Sequence, residues 1–293
     1  MKKTMLITGS SSGVGVATAR YFAEHGFNVV ATVRNPDTAH GLDGIANLMV
    51  VRLDVEDTAS IDSALTVALE RFGRIDMVIN NAGYGQYGVI EGMPIEKIRK
   101  NYDVNVFGVI NVIQRVIPIL RQQGGGMILN VGSCGGIFGL PNSSVYISTK
   151  FALEGFTESI AYELASQHIV VKLFEPGGIM TPFHERSARE SNGNGNVPAY
   201  DAFLASTQEA MTKLAEGVAT PEQVAKDIYA AATDGTDRLR YCAPYGVEHL
   251  VKARRELDDQ AYERFMRAQF PGANRCGLKP GAPWISPMSS AIC

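Results

Sequence analysis

Six short runs of apolar, mostly β-branched residues recur along the chain, at positions 4–8, 28–33, 49–53, 76–80, 127–131 and 170–174. Within each run the apolar positions are nearly continuous, which predicts strands covered on both faces. The stretches between them follow a helical period. Ile61, Leu65, Ala68, Leu69 and Phe72, for example, share one helix face that Gly73 is placed to end. Strands alternating with helices predict βαβ units and an α/β fold, a doubly wound parallel sheet with helices on both faces. Ligands in such sheets lie beyond the carboxyl ends of the strands, so chemistry is expected in the residues that follow each run.

After Phe183 the regular pattern breaks. Ser191, Asn192, Gly193, Asn194, Gly195 and Asn196 have almost nothing to bury, and Tyr200, Phe203, Leu204, Thr207, Met211 and Leu214 follow at helical spacing. A mobile loop leading into an amphipathic helix is the anatomy of a substrate lid over residues 187–217, or of a plain surface insertion. Thr220 then reads as an N-cap, with Pro221 in the first helical position and Gln223 placed to complete a capping box. Residues 238–243 read as a seventh strand and 247–270 as one charged helix. No linker divides residues 1–270, which are expected to form one domain. Residues 271–293 are a tail rich in Pro and Gly that holds Trp284, either a disordered end or a docked arm.

Composition narrows the function. With 27 Lys+Arg against 30 Asp+Glu the net charge is −3, and no basic cluster offers a surface for nucleic acid. The segment 104–120 is interrupted by Asn105, Asn111, Gln114 and Arg115, so it reads as a buried helix and not a membrane span. The apolar stretch at the N-terminus is too short for a signal peptide, and the scattered Cys134, Cys242, Cys276 and Cys293 read as free thiols, so a cytoplasmic location is expected. No metal is expected: His184-Glu185 opens like a zinc-binding helix motif, but Ala188 stands where the second His is required.

The first strand runs into Thr8-Gly9-Ser10-Ser11-Ser12-Gly13-Val14-Gly15 and then a helix. Glycines there let the backbone turn and approach a pyrophosphate, which the helix amides and dipole attract. No Gly-Lys-Ser/Thr follows, so this is not a P-loop. At the end of the second strand, where NAD-binding folds usually place an acidic residue, stand Val33 and Arg34. The Arg34 guanidinium suits a ribose 2′-phosphate, which predicts NADP (NADPH) in preference to NAD. Asp54, past the third strand, is placed either to bond the adenine amino group or to cap the next helix. Asn80-Asn81-Ala82-Gly83 closes the fourth strand with small and polar residues beside the cofactor path.

Ser133 follows the fifth strand, and Tyr146 and Lys150 are separated by three residues. Four residues along a helix make about 1.1 turns and ~6 Å, so phenol and ammonium share a face. The ammonium and a cationic nicotinamide are expected to lower the phenol's pKa, so that Tyr146 exchanges a proton with a substrate oxygen held by Ser133 while hydride passes to or from the nicotinamide.

These motifs, in this order, resemble the short-chain dehydrogenase/reductase family over roughly residues 3–245. The resemblance rests on Thr8-Gly-x-x-x-Gly-x-Gly15, Asn80-Asn-Ala-Gly83, Asn105, Ser133, Tyr146-x-x-x-Lys150, Pro176-Gly177 and Thr181. It implies a Rossmann-type sheet of about seven strands and a catalytic tetrad of Asn105, Ser133, Tyr146 and Lys150, with Asn105 holding a proton-relaying water. It also implies cofactor contacts from Gly9, Ser11, Ser12, Gly13, Val14, Gly15, Arg34, Asp54, Val55, Asn81, Ala82, Gly83, Tyr146, Lys150, Pro176, Gly177, Ile179 and Thr181. Homodimers or homotetramers through the helices near 105–120 and 145–165 follow from the same likeness.

Two features depart from the family's commonest form: Ser10-Ser11-Ser12 replaces the extra basic residue of many NADP-preferring members, and the C-terminal extension is long. The latter resembles members acting on bulky lipophilic alcohols and ketones, such as hydroxysteroids or retinoids; Tyr84, Tyr87, Phe138, Leu140, Phe183 and Phe203 would line that pocket or lie in the core. The expected activity is interconversion of a secondary alcohol and its carbonyl compound. The alternatives are a C=C reductase or an epimerase on this fold, or a non-catalytic NADP-binding protein.

Overall fold

The computed structural model describes residues 2–214 and 217–270. The expected tail, 271–293, and residues 215 and 216 of the expected lid lie outside the described residues.

Strands β1 (Thr4–Ile7) and β2 (Asn28–Val33) flank helix α1 (Gly13–Glu24), and β3 (Leu48–Arg52) leads through α2 (Thr58–Phe72) to β4 (Met77–Asn80). Next come α3 (Ile95–Tyr102), α4 (Gly108–Gln122), β5 (Gly126–Val131), α5 (Ser144–Ala165) and β6 (Ile169–Pro176). The chain continues through α6 (Pro182–Glu190), α7 (Asp201–Leu214), α8 (Pro221–Thr233), β7 (Arg240–Ala243), α9 (Glu248–Glu256) and α10 (Asp259–Gln269). All seven strands pair in parallel in the order β3-β2-β1-β4-β5-β6-β7. The order reverses between β1 and β4, so the crevice of this Rossmann-type sheet opens there.

Successive residues of a strand point to opposite faces, and here both faces are apolar. Leu6, Val30, Val78, Ile128 and Val171 pack under α2, α4 and α5 with Ile61, Val112, Val116 and Leu153. Their strand neighbours Met5, Ile7, Val29, Ile79 and Leu129 pack on the other face with Ala19, Phe22 and Ile228 of α1 and α8. That is why the apolar runs are continuous. The 28-residue stretch Ile95–Gln122 contains an 18-residue window of mean hydropathy 1.4, long and apolar enough by length and composition to cross a membrane. Its Val109, Val112, Ile113, Val116 and Leu120 are nevertheless buried in the sheet's core, as in a core helix.

Caps explain most helix ends. Gly73, at φ 77°, ends α2 with its amide on the Leu69 carbonyl. Thr220 accepts from Gln223 N as expected, but the Gln223 side chain bonds Asp227 on the next turn, so no capping box closes. The sequence reading is corrected at two points. Regular structure resumes after β6 because Thr181 accepts from Phe183 N and Pro182 starts α6. The expected single helix over 247–270 is two, because Leu257 is extended and Asp258 caps α10 by accepting from Ala261 N at 2.8 Å.

The Asn/Gly-rich stretch after α6 lies against the loop after β4. Asn192 N donates to Tyr87 O and Val89 N to Gly193 O. A Cβ on Gly92 would meet the Gly195 backbone at 2.5 Å, so the two segments touch backbone to backbone.

A buried polar chain ties the sheet to α5: Asn80 Nδ2 donates to Asn130 Oδ1 at 2.8 Å, and Asn130 Nδ2 to Thr157 Oγ1 at 2.9 Å. Truncating the middle member strands both neighbours, each worth about 1–3 kcal/mol when buried and unpaired. Asn130→Ala is therefore expected to lower unfolding stability by about 2–5 kcal/mol in urea titration; a loss below about 0.5 kcal/mol would show that the chain contributes nothing net.

Candidate active site

The glycine loop crosses the crevice between β1 and β4. Thr8 Oγ1 accepts from both Asn81 N and Ala82 N at 3.0 Å, and Asn81 Nδ2 donates to the carbonyls of Thr8 and Gly9. Gly9 has φ +74°, and a Cβ there would stand 2.8 Å from Ala82 Cα. On Gly15 a Cβ would stand 2.2 Å from Gly9 O. These contacts bring the expected cofactor residues Gly9, Ser11, Ser12, Gly13, Val14 and Gly15 together with Asn81, Ala82 and Gly83. The first turn of α1 carries no acidic side chain, so its positive end is left for an anion. The loop's close backbone approach fits a dinucleotide, which would rest on the amides of residues 11–15.

Arg34 is exposed just past β2. A groove of about 580 Å³ beside the loop is lined by Ser11, Ser12, Arg20, Tyr21, His40 and Pro221 among others, and not by Arg34. Arg20 and His40 were missed from sequence; an arginine on the outer face of α1 looks like any solvated charge. Asp54 caps no helix: its Oδ1 accepts from Glu56 N, and Asp57 caps α2. Val55 is buried against Gly108 at the start of α4, and its carbonyl accepts from Asn111.

Ser133 caps the turn after β5 by accepting from Gly135 N at 3.0 Å, and it also hydrogen-bonds the Tyr146 phenol. Lys150 is buried, its Nζ donating to Val131 O at 3.0 Å and standing 5.8 Å from the Tyr146 ring centroid. The three expected side chains are thus together at the carboxyl end of β5. The lowering of the phenol expected from the ammonium and a nicotinamide meets an opposing effect in the protein. Burial raises Tyr146 to about 12, against the opposing hydrogen bond with Ser133. Burial likewise lowers Lys150 to about 8, against the charge of Glu154.

Asn105 sits in a π-turn between α3 and α4. Its Oδ1 accepts from Tyr84 N, and its Nδ2 donates to Tyr84 O and Thr149 Oγ1. It therefore fastens the chain after Gly83 to α5, one residue before Lys150. Thr149 was missed, because nothing in its local sequence marks a hydroxyl as the partner of a residue 44 positions away.

Pro176 ends β6, and Gly177 N and Gly178 N donate to Ala243 O and Tyr245 O. Ile179 bridges to Ala219. The Thr181 hydroxyl caps α6, so its expected cofactor contact shares an atom with a structural one.

Aromatic rings surround Tyr146. Tyr87 and Phe183 meet it edge to face at 6.0 and 5.9 Å, and Ser187 Oγ accepts from Gly85 N. Phe138 is core, packed with Cys134, Val247 and Leu250. Leu140 and Phe203 instead line an open apolar groove of about 510 Å³ with Pro141, Ile147, Met266, Arg267 and Phe270. Among the described residues, no group of three or more His, Cys, Asp or Glu is placed to hold a metal.

Residues 3–192 match the short chain dehydrogenase family. The chain belongs to that family. This short-chain dehydrogenase is 31% identical to human 17-beta-hydroxysteroid dehydrogenase type 1 over 281 residues, 91% of this chain and 84% of the relative. A short-chain dehydrogenase from Streptomyces avermitilis superposes with a TM-score of 0.75 at 29% identity, covering 92% of this chain and 98% of the other. ElxO with NADP bound has a TM-score of 0.69 at 26% identity, covering 84% and 99%. A 3-ketoacyl-(acyl-carrier-protein) reductase from Brucella melitensis, complexed with NADH, has 0.69 at 27%, covering 83% and 95%. The protein is therefore an oxidoreductase of the hydride-transfer type acting between CH–OH and carbonyl groups, on a fold that binds NAD(P).

Overpacking a tight site costs about 1–3 kcal/mol. Gly15→Ala, whose Cβ would press on Gly9 O, is expected to weaken nicotinamide-dinucleotide binding by roughly ten- to a hundredfold in fluorescence titration. Unchanged affinity would show that the cofactor does not rest on this loop.

Proposed function

We propose that this enzyme uses NADPH to reduce a ketone or aldehyde on a lipophilic substrate, with Tyr146 as the general acid, and runs the reverse oxidation with the proton flow reversed. The observation that carries the reading is the Ser133–Tyr146–Lys150 arrangement, in which one phenol is hydrogen-bonded by Ser133 and flanked by a buried ammonium.

A bound reduced nicotinamide supplies the hydride. Ser133 donates a hydrogen bond to the carbonyl oxygen and fixes it beside the phenol. As charge develops on that oxygen, Tyr146 releases its proton to it, and the Lys150 ammonium stabilises the phenolate left behind. A phenol raised to about 12 keeps its proton at neutral pH, which suits the acid role and carbonyl reduction. Asn105 holds Tyr84 and Thr149 in place, so its contribution to a proton relay works through the position of Lys150. A C=C reductase or epimerase would have less use for a serine bonded to the phenol, and a binding protein less use for a buried lysine beside it.

Two features support NADPH. Val33 offers no carboxylate to a ribose 2′-hydroxyl while Arg34 offers a guanidinium, and Arg20 adds a second guanidinium next to Ser11 and Ser12. A lipophilic substrate, of the hydroxysteroid or retinoid size, is supported by the apolar groove between the 139–148 segment, Phe203 and α10, and by the likeness to the human hydroxysteroid dehydrogenase. The segment 187–217 would serve as its cover. Exposed Phe107, Phe151 and Tyr162, on the π-turn and α5, support a homodimer or homotetramer.

Turnover of a ketone panel graded from small to steroid-sized, with NADPH and NADH in parallel, tests the reading. Tyr146→Phe is expected to retain NADPH binding and lose about 10²–10⁴ in kcat; retained turnover would remove the phenol from its role. Arg34→Ala is expected to weaken NADPH by roughly ten- to a hundredfold while leaving NADH little changed. Equal weakening of both cofactors would refute the phosphate contact.

A further inference from the structure

Behind Lys150 two carboxyl groups are buried that the proposed reaction does not use. Glu154 lies on α5 one turn beyond Lys150, and Glu175 is 1% exposed near the end of β6. Glu154 Oε2 accepts from Arg240 Nε at 3.3 Å, but Glu154 Oε1 and Glu175 Oε2 are both buried with no donor. Stranding two carboxylate oxygens in one place is costly. The two side chains are hydrogen-bonded to each other, and carboxyl groups can bond one another only when one keeps its proton. The orphaned oxygens are explained if that proton lies between them. Burial raises both carboxyls above the usual carboxylate range, and the charge of Glu175 raises Glu154 further, so the pair keeps one proton between them.

The pair forms the floor of the turn that carries Ser133. A Cβ on Gly136 would stand 3.0 Å from Glu154 Oε1, and one on Gly132 3.4 Å from the same atom. Cys134 Sγ donates to the Glu175 carbonyl at 3.4 Å. The other charged and titratable groups facing the pair are Lys150 and Glu158 from α5, Arg240 and Cys242 from β7, Cys134 from the turn and Arg255 from α9. Arg240 is divided between Glu154 and Glu158, so its charge is not the pair's alone.

We propose that Glu154 and Glu175 share one proton and act as a single positioning unit, which braces the Ser133 turn and holds Lys150 as the ammonium that Tyr146 needs. The role rests on the reading of Ser133, Tyr146 and Lys150 given above; the shared proton does not. The pair, raised in the folded protein, gives up its last proton only above the usual carboxylate range, while burial lowers Lys150 toward losing its own charge. The added negative charge then opposes that loss and extends carbonyl reduction to higher pH.

Infrared spectroscopy and the pH profile of kcat together test this. The wild-type enzyme at pH 7 is expected to show a protonated carboxyl band that is absent in Glu154→Gln. The double variant Glu154→Gln/Glu175→Gln, which has lost the charge, is expected to shift the alkaline fall of NADPH-dependent reduction toward acid by about one pH unit. Glu154→Gln alone keeps a donor and the Glu175 carboxylate and should shift it less, while Glu154→Ala keeps that carboxylate but leaves it without a donor and should fall about tenfold below it at pH 7. Where the double variant does not fold, the comparison of Glu154→Gln with Glu154→Ala decides. No protonated carboxyl at pH 7 refutes the shared proton, and a double-variant profile superimposable on wild type, or equal activity of Gln and Ala, refutes the positioning role. Failure to turn over any carbonyl would instead overturn the reaction reading and the positioning role together, with the infrared band still deciding the proton.

Discussion

One hydroxyl group governs the cofactor end of this molecule. Thr8 leaves β1 at the point where the sheet reverses its winding, and its Oγ1 receives two consecutive backbone amides from the end of β4. That contact forces Gly9 against Ala82, and the side chain of Asn81 then holds the carbonyls of Thr8 and Gly9. Every later approach is set by it. The amino end of α1 faces the crevice because the loop is held there, and Gly83, next along the chain, sits against Asn105. From Asn105 the constraint passes through Thr149 to α5, and so to Tyr146 and Lys150. Two halves of the site, far apart in sequence, share one line of hydrogen bonds.

The parts that could be read from sequence are those whose cause is local. Apolar runs such as Met5, Leu6 and Ile7 are legible because each residue has its own core to enter, on one face or the other. The glycine loop and the Tyr146–Lys150 spacing carry their geometry within a few residues. What escaped was set by distant partners: the Tyr87–Phe183 enclosure of the phenol, the Gly85–Ser187 bond and the Glu154–Glu175 pair each join segments that no window of sequence contains. The burial that raises the phenol escaped for a related reason. Lysine is visible four residues away, whereas burial is not. The break at Leu257 is different, since Asp258 before a helical run is a legible cap that the apolar spacing of 247–270 overrode.

The Asn/Gly-rich stretch shows how composition misleads. Residues 191–196 lack side chains to bury, yet their backbone packs on Gly92 because glycine lets two main chains meet with nothing between them. Close packing here comes from absence of side chains, and its hydrogen bonds to the loop after β4 all meet backbone atoms there. A segment of this kind reports its partner only once both are folded.

The joint at Asp258 has a consequence for how such an enzyme diversifies. The family match ends at residue 192, while Phe203, Met266, Arg267 and Phe270, on one side of the apolar groove, all lie beyond it. The groove is thus built from two stretches of chain, one within the family match and one beyond it. The second stretch carries the edge strand β7, and its α8 packs against the sheet beside α1. Substitution there can reshape one wall of the groove while Ser133, Tyr146 and Lys150 stay as they are.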